Sequence, residues 1–150
     1  FVGDTATTVM VGVTDPEIIR LVATGQKALE SAITKAVCGN RLSDISHAIE
    51  TVAEEAGYSV VRDFVGHGVG RKMHEDPQIP NFGPPGHGPK LKNGMTLAIE
   101  PMVNQGVFQV DVLSDGWTVV TRDRLPSVHF EHTVVIQGEK AEVLTCLQKK

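Results

Sequence analysis

The stretch MTLAIEPMVNQGVFQVDVLSDGWTVVTRDRLPSVHFEHTVVIQGEKAEVLT, residues 95–145, decides the fold class. It is rich in Val, Ile, Thr and Phe and predicts strands near 95–103, 107–113, 117–121, 129–137 and 141–145. Asp115-Gly116 is a hairpin-type turn signal. Upstream the pattern changes. Residues 1–12, rich in Val and Thr, read as a strand. Thr14-Asp15-Pro16-Glu17 then opens a helix, with Ile18, Leu21, Val22, Leu29, Ile33 and Val37 at roughly helical spacing. Gly25 interrupts that run and Gly39-Asn40 stops it. Ser43 can cap a second helix carrying Ile45, Ile49, Val52 and Ala53, ending at Gly57, and Tyr58–Val61 is a short strand. Residues 65–88, VGHGVGRKMHEDPQIPNFGPPGHG, have no clear helical or strand period. Strand, two helices, then several strands with few crossover helices indicate an α+β fold with a largely antiparallel sheet.

A chain of 150 residues is a usual size for one domain. Its apolar fraction of 41% and charged fraction of 21% suit a soluble globular protein. The net charge is −4 and no basic run exceeds two residues, which argues against nucleic acid or an anionic membrane as the main partner. No apolar run approaches the ~20 residues of a membrane span, and no signal-peptide pattern opens the chain. Cys38 and Cys146 lie far apart, so a reduced, cytoplasmic setting is the default expectation. The chain begins at Phe1, and FVGDTATTVMVG reads like the middle of a sheet; the expectation is a fragment or a processed product.

Three apolar strands each carry one acid. Asp4 stands beside Thr5, Glu100 lies in TLAIEPMV, and Glu131 lies in VHFEHTVVI between His129 and His132. Pro101 biases Glu100 toward extended backbone, with Leu97 and Ile99 on one face and Ala98, Glu100 and Met102 on the other. A carboxylate in an apolar strand is expensive to bury unless it is paired or bound to a metal. Taken singly, an acid of this kind is better read as a solvated edge position, with the two readings about even for Glu100. His67, between Gly66 and Gly68, and His74, beside Glu75 and Asp76, add imidazoles from the aperiodic stretch. The flanking glycines are read as letting other groups approach the His67 ring. Carboxylates with one imidazole suit a divalent metal such as Mn, Fe, Co or Zn, but not a structural zinc site, which prefers cysteine. Two such metals close together would generate a hydroxide and clamp both sides of a hydrolytic transition state. The ligands are not local in sequence, so spacing alone leaves both readings open.

Other motif readings fail. Gly66-His67-Gly68-Val69-Gly70 is a poor dinucleotide fingerprint, because its third glycine comes too early and no helix follows. Gly70-Arg71-Lys72 is not a phosphate-binding loop, and no Gly-x-Ser-x-Gly elbow occurs.

Four segments, GHGVGRKMHEDPQIPNFG, LKNGMTLAIEPMVNQG, DGWTVVTRDRLPSVHFEHTVVI and the opening GDTA, closely resemble type I methionine aminopeptidase, in order and over nearly the whole chain. The resemblance implies a pita-bread fold, a curved antiparallel sheet backed by helices, with residues 1–150 forming the larger, C-terminal part of the catalytic domain. It implies that Asp4, His67, Glu100 and Glu131 are metal ligands, with Glu131 and Asp4 bridging two divalent ions. Glu100 would also be the proton-transfer base, and His74 would contact the scissile amide and its tetrahedral intermediate. Met73 and Trp117 would line the pocket for the methionine side chain, although the family more often has an aromatic residue where Met73 stands. The reaction implied is hydrolytic removal of initiator methionine before a small second residue. The implied partners are nascent polypeptide N-termini as substrate, with the ribosome a further candidate, and the implied protein is a cytoplasmic monomer.

The family's fifth ligand is an aspartate on a strand before the one carrying Asp4, and this chain starts too late to contain it. The expectation is therefore that these 150 residues alone are inactive or unstable. Three alternatives share the fold. An Xaa-Pro peptidase has the same ligand set, but DGWTVVTRDR and the spacing from His67 to Glu100 favour the methionine enzyme. A non-catalytic peptide-binding module would be expected to have lost ligands that are all present here. A type II methionine aminopeptidase usually carries a helical insertion, for which the run from Glu100 to Glu131 leaves no room.

Overall fold

In a computed structural model, which describes residues 1–146, Asp15 starts the first helix, α1 (Pro16–Lys35). Its carboxylate accepts from the Glu17 N–H at 2.8 Å, and Pro16 fills the first turn, where a missing N–H costs nothing. The helix ends before Val37 and Gly39. The N–H groups of Cys38 and Gly39 bond instead to the carbonyls of Gly138 and Leu91, so tertiary partners replace the last helical turn. The second helix, α2 (Leu42–Glu55), begins just ahead of Ser43. Asp44 accepts from the Arg41 N–H at 2.7 Å at its start. Ser43 does not cap it. Its hydroxyl accepts from the His87 N–H at 2.7 Å and ties the Gly/Pro-rich stretch to the helix.

The expected strand at 1–12 shrinks to β1 (Thr5–Ala6). After α2 come β2 (Ser59–Val60), β3 (Gly66–Gly68) and β4 (Glu75–Ile79). The last two lie in the stretch that has no visible period. The C-terminal region is β as expected, but two of its long strands are each broken in two. Residues 95–103 become β5 (Thr96–Ile99) and β6 (Met102–Asn104), parted at Glu100-Pro101. Residues 129–137 sit on β9 (Ser127–His129) and β10 (Glu131–Gln137), parted at Phe130. Between these pairs, β7 (Val110–Val112) and β8 (Val119–Thr121) form the hairpin around Asp115-Gly116, and β11 (Lys140–Val143) folds back on β10.

Every pairing among the described strands is antiparallel. The main sheet runs β1-β10-β5-β3-β4, with β11 beside β10, and a smaller sheet runs β2-β6-β9. Leu97, Ile99, Val134 and Ile136 point from the main sheet into one core with Leu21 and Leu29 of α1 and Ile45 and Ile49 of α2. This leaves Ala98 and Thr133, on the alternate positions, to face the other way. The α+β reading of the sequence holds, with both helices on one side of the sheets.

Gly25 is where α1 comes closest to the smaller sheet. A Cβ there would lie 2.7 Å from the Val128 methyl and 3.0 Å from the Phe130 ring, both buried. Alanine is the better helix former by roughly 1 kcal/mol, but overpacking a filled core costs roughly 1–3 kcal/mol. Gly25→Ala is therefore expected to lower the midpoint of urea unfolding. An unchanged or higher midpoint would mean that the helix and sheet can part without loss.

Candidate metal centre

Four strands deliver four functional side chains to one point. Asp4 immediately precedes β1, whose register places Ala6 opposite Glu131. Thr133 clamps Asp4: its hydroxyl accepts from the Asp4 N–H and donates to the Asp4 carbonyl, both at 2.8 Å. The Thr5 hydroxyl donates to the Glu131 carbonyl at 2.9 Å, and Thr8 makes the same kind of contact to His129. The Val/Thr-rich opening thus holds its place through hydroxyls more than through ladder bonds. β5 lies between β10 and β3, so Glu100, just past its end, is no edge residue; its side chain is 14% exposed. Glu131 is 4% exposed. The solvated-edge reading fails for both.

His67 sits on β3 opposite Ala98 of β5. Its glycine neighbours serve the sheet. A Cβ on Gly66 would strike the Ala98 carbonyl, and one on Gly68 would strike the Asp76 carbonyl. The glycines therefore admit neighbouring backbone, which corrects the expectation that they open space around the ring. His67 Nδ1 lies 2.9 Å from the Gly68 carbonyl, which can only accept. Nδ1 therefore carries the proton, and in the neutral ring Nε2 presents a lone pair. That lone pair faces Glu100 Oε1 at 3.4 Å and Asp4 Oδ2 at 3.8 Å.

Ligand atoms of Asp4, His67 and Glu131 all lie within 4.8 Å of one another. Glu100 flanks the group through its contact with His67. Among the described residues no Lys or Arg pairs with these acids. Burial, and then the charges of Glu100 and Asp4, push the Glu131 carboxyl up from 4.5 to about 7, against a small opposing pull from His129. A lone pair and three carboxylates facing one another repel; a divalent cation among them turns every contact attractive. The hard oxygens with one imidazole nitrogen fit such a cation.

The remaining predicted residues spread around this point. The His74 ring stands edge-on to His67, with centroids 4.5 Å apart. Both line a polar hollow of about 600 Å³ with Lys72, Glu75, Asp76 and Gln78. Met73 is half-exposed and does not line that hollow. Trp117, 87% exposed at the hairpin turn, lines a different hollow of about 560 Å³ with Phe64, Glu100, Met102, Val110 and His129. The structure therefore brings Asp4, His67, Glu100, Glu131 and His74 together; Trp117 shares its hollow with Glu100, and Met73 lines neither hollow. In the sequence His129 stands out only as a neighbour of Glu131. In the structure its Nε2 lies 3.4 Å from Glu100 Oε2. Its position two residues before Glu131 was the available signal.

Comparison with known proteins agrees with this geometry. The sequence model described as metallopeptidase family M24 matches residues 1–138. A methionine aminopeptidase of Clostridium perfringens is 52% identical over 148 residues, covering 99% of this chain and 59% of the relative. The crystal structure of methionine aminopeptidase from Thermotoga maritima superposes with a TM-score of 0.95 at 52% identity, covering 97% of this chain and 58% of that one. The prolidase of Pyrococcus furiosus superposes with a TM-score of 0.73 at 24% identity, a likeness of fold alone. The pita-bread fold implied by the motifs is borne out. The chain spans little more than half the length of the methionine aminopeptidases it matches.

The raised Glu131 carboxyl gives the metal-free protein a pH signature. The folded state holds this proton up to about pH 7, whereas the unfolded chain releases it near 4.5. Its contribution is most favourable below pH 4.5 and is lost as pH rises toward about 7, by up to roughly 3 kcal/mol. Urea unfolding of metal-free protein between pH 5 and 7.5 should show stability falling with pH in the wild type. Glu131→Gln should flatten that slope; equal slopes in the two proteins would remove Glu131 as its source.

Proposed function

The chain belongs to metallopeptidase family M24, and we propose that the protein carrying it is a methionine aminopeptidase that removes initiator methionine ahead of a small second residue. The observation that carries this reading is identity at about half of all positions to methionine aminopeptidases over nearly the whole chain. The likeness to prolidases is one of fold, so nothing specific favours an Xaa-Pro peptidase. Nor does a non-catalytic module account for four filled ligand positions.

On this reading Asp4, His67, Glu100 and Glu131 would hold the divalent metal, two ions of the Mn, Fe, Co or Zn class. When bound, such ions polarise a peptide carbonyl and lower the pKa of water. The chain's own residues do the rest. Glu100 accepts the proton of the attacking water, being the least enclosed of the glutamates at the cluster. His74, exposed at the mouth of the polar hollow, donates toward the scissile amide as negative charge develops there. Trp117 and Met73 supply apolar contact for the methionine side chain, Trp117 from the hollow that also holds Glu100. The partners are nascent N-termini, at or near the ribosome, and the setting is the cytoplasm, with the protein a monomer.

Assay of the whole natural protein, with Mn, Co or Fe added, on Met-Ala-Ser and on Xaa-Pro peptides tests this. Methionine release that falls at least 100-fold in His67→Ala and Glu131→Ala is expected. Cleavage only of the Xaa-Pro peptides, or of neither substrate, would overturn it.

A further inference from the structure

We propose that His129 is a positioning residue for Glu100: its Nε2–H donates to Glu100 Oε2 and turns Oε1 toward His67. The inference deepens the metallopeptidase reading and rests on it. Glu100 stands between two imidazoles, with His67 Nε2 at 3.4 Å from one oxygen and His129 Nε2 at 3.4 Å from the other. The two rings present opposite chemistry. His67 has its Nδ1–H engaged by the Gly68 carbonyl and shows a lone pair. His129 Nε2 is buried and has no hydrogen-bond partner, although the rest of the ring reaches solvent. The carboxylate oxygen facing it is Glu100 Oε2, at 3.4 Å.

A lone pair on His129 Nε2 would repel that carboxylate, so the Nε2–H tautomer is selected. At 3.4 Å the contact is longer than the 2.7–2.9 Å typical of a charge-assisted bond. Such bonds are often long before a site is loaded and tighten afterwards. Competing acceptors are few. The hollow on this side is lined mainly by Val61, Phe64, Met102 and Val119, and the hydroxyls of Thr121 and Ser127 donate to backbone carbonyls elsewhere.

The base of the ring is fixed. The Thr8 hydroxyl accepts from the His129 N–H at 3.0 Å and donates to the His129 carbonyl at 2.9 Å. The register of β6 on β9 sets His129 opposite Met102, two residues past Glu100. A carboxylate held by one oxygen offers the other in a set direction, and losing such outer partners typically costs 10–100-fold in metal affinity.

Two measurements on the whole natural protein test the proposal. In the metal-free protein, long-range ¹H–¹⁵N spectroscopy should find His129 as the Nε2–H tautomer with a slowly exchanging Hε2. The Nδ1–H tautomer, or exchange as fast as in free imidazole, would overturn it. In calorimetric titration with Mn²⁺, His129→Ala should weaken binding about 10–100-fold. His129→Gln, whose amide N–H can reach the same oxygen, should stay within a few-fold of wild type. Equal weakening in both variants, or none in either, would also overturn it. Wild-type protein that takes up no Mn²⁺ would instead sink the metallopeptidase reading, and the tautomer then decides the His129–Glu100 contact alone.

Discussion

The lone pair of His67 Nε2, facing Asp4 and Glu100 at 3.8 and 3.4 Å with buried Glu131 close by, is the contact around which the sheet is organised. Left alone it is repulsive, and no single strand could hold it. Each acid and the imidazole come from a different strand or strand end, and neighbouring strands in antiparallel register keep them from drifting apart. The opposite face of those strands is packed through Leu97, Ile99, Val134 and Ile136 against two helices. Burial of apolar surface, at roughly 25 cal/mol per Å², opposes the electrostatic cost on the polar side. The site is strained electrostatically because the core behind it is not strained sterically.

The cluster also sits where paired strands change sheets. β5 and β10 pair in the main sheet, while β6 and β9 pair in the smaller one. Both segments cross over at the same level, one at Glu100-Pro101 and the other at Phe130. Proline cannot donate to a ladder, so a break at Pro101 loses no strand hydrogen bond. The Pro101 carbonyl still accepts from the Phe130 N–H at 3.3 Å, which keeps the two crossings in step. A carboxylate placed at such a crossing escapes the strict alternation of a strand. Glu100 can therefore face the main-sheet site and the apolar hollow of the smaller sheet together.

Much of this was legible before any coordinates. An acid in a run of β-branched residues conflicts with its surroundings, and Asp4, Glu100 and Glu131 each carry that conflict in plain view. The helices were visible from their caps and spacing. What stayed hidden depended on partners distant in sequence. β3 is only Gly-His-Gly, and β4 contains Pro77 and two acids; β3 is a strand because β5 offers it an edge, and β4 because β3 offers the next, not because of their propensity. Ser43 looked like a cap because nothing local reveals that His87 would claim its hydroxyl. The first twelve residues looked like a long strand because Thr serves equally well in a ladder and as a hydroxyl clamp, and here Thr5 and Thr8 act as clamps.

The glycines around His67 act on its ring through the backbone. Read locally, they suggested space around a reactive ring. In the fold they let β4 and β5 close in on β3 until their carbonyls occupy the room a Cβ would need. That closeness is what fixes the ring. The Gly68 carbonyl accepts from the His67 Nδ1–H because the backbone at Gly68 can sit where a larger residue could not. The small side chain thus acts through the tautomer of its neighbour, and the tautomer decides which nitrogen meets the acids. A substitution at Gly68 would be felt first in the sheet, as a collision with the Asp76 carbonyl, and only through it in the direction of the His67 lone pair.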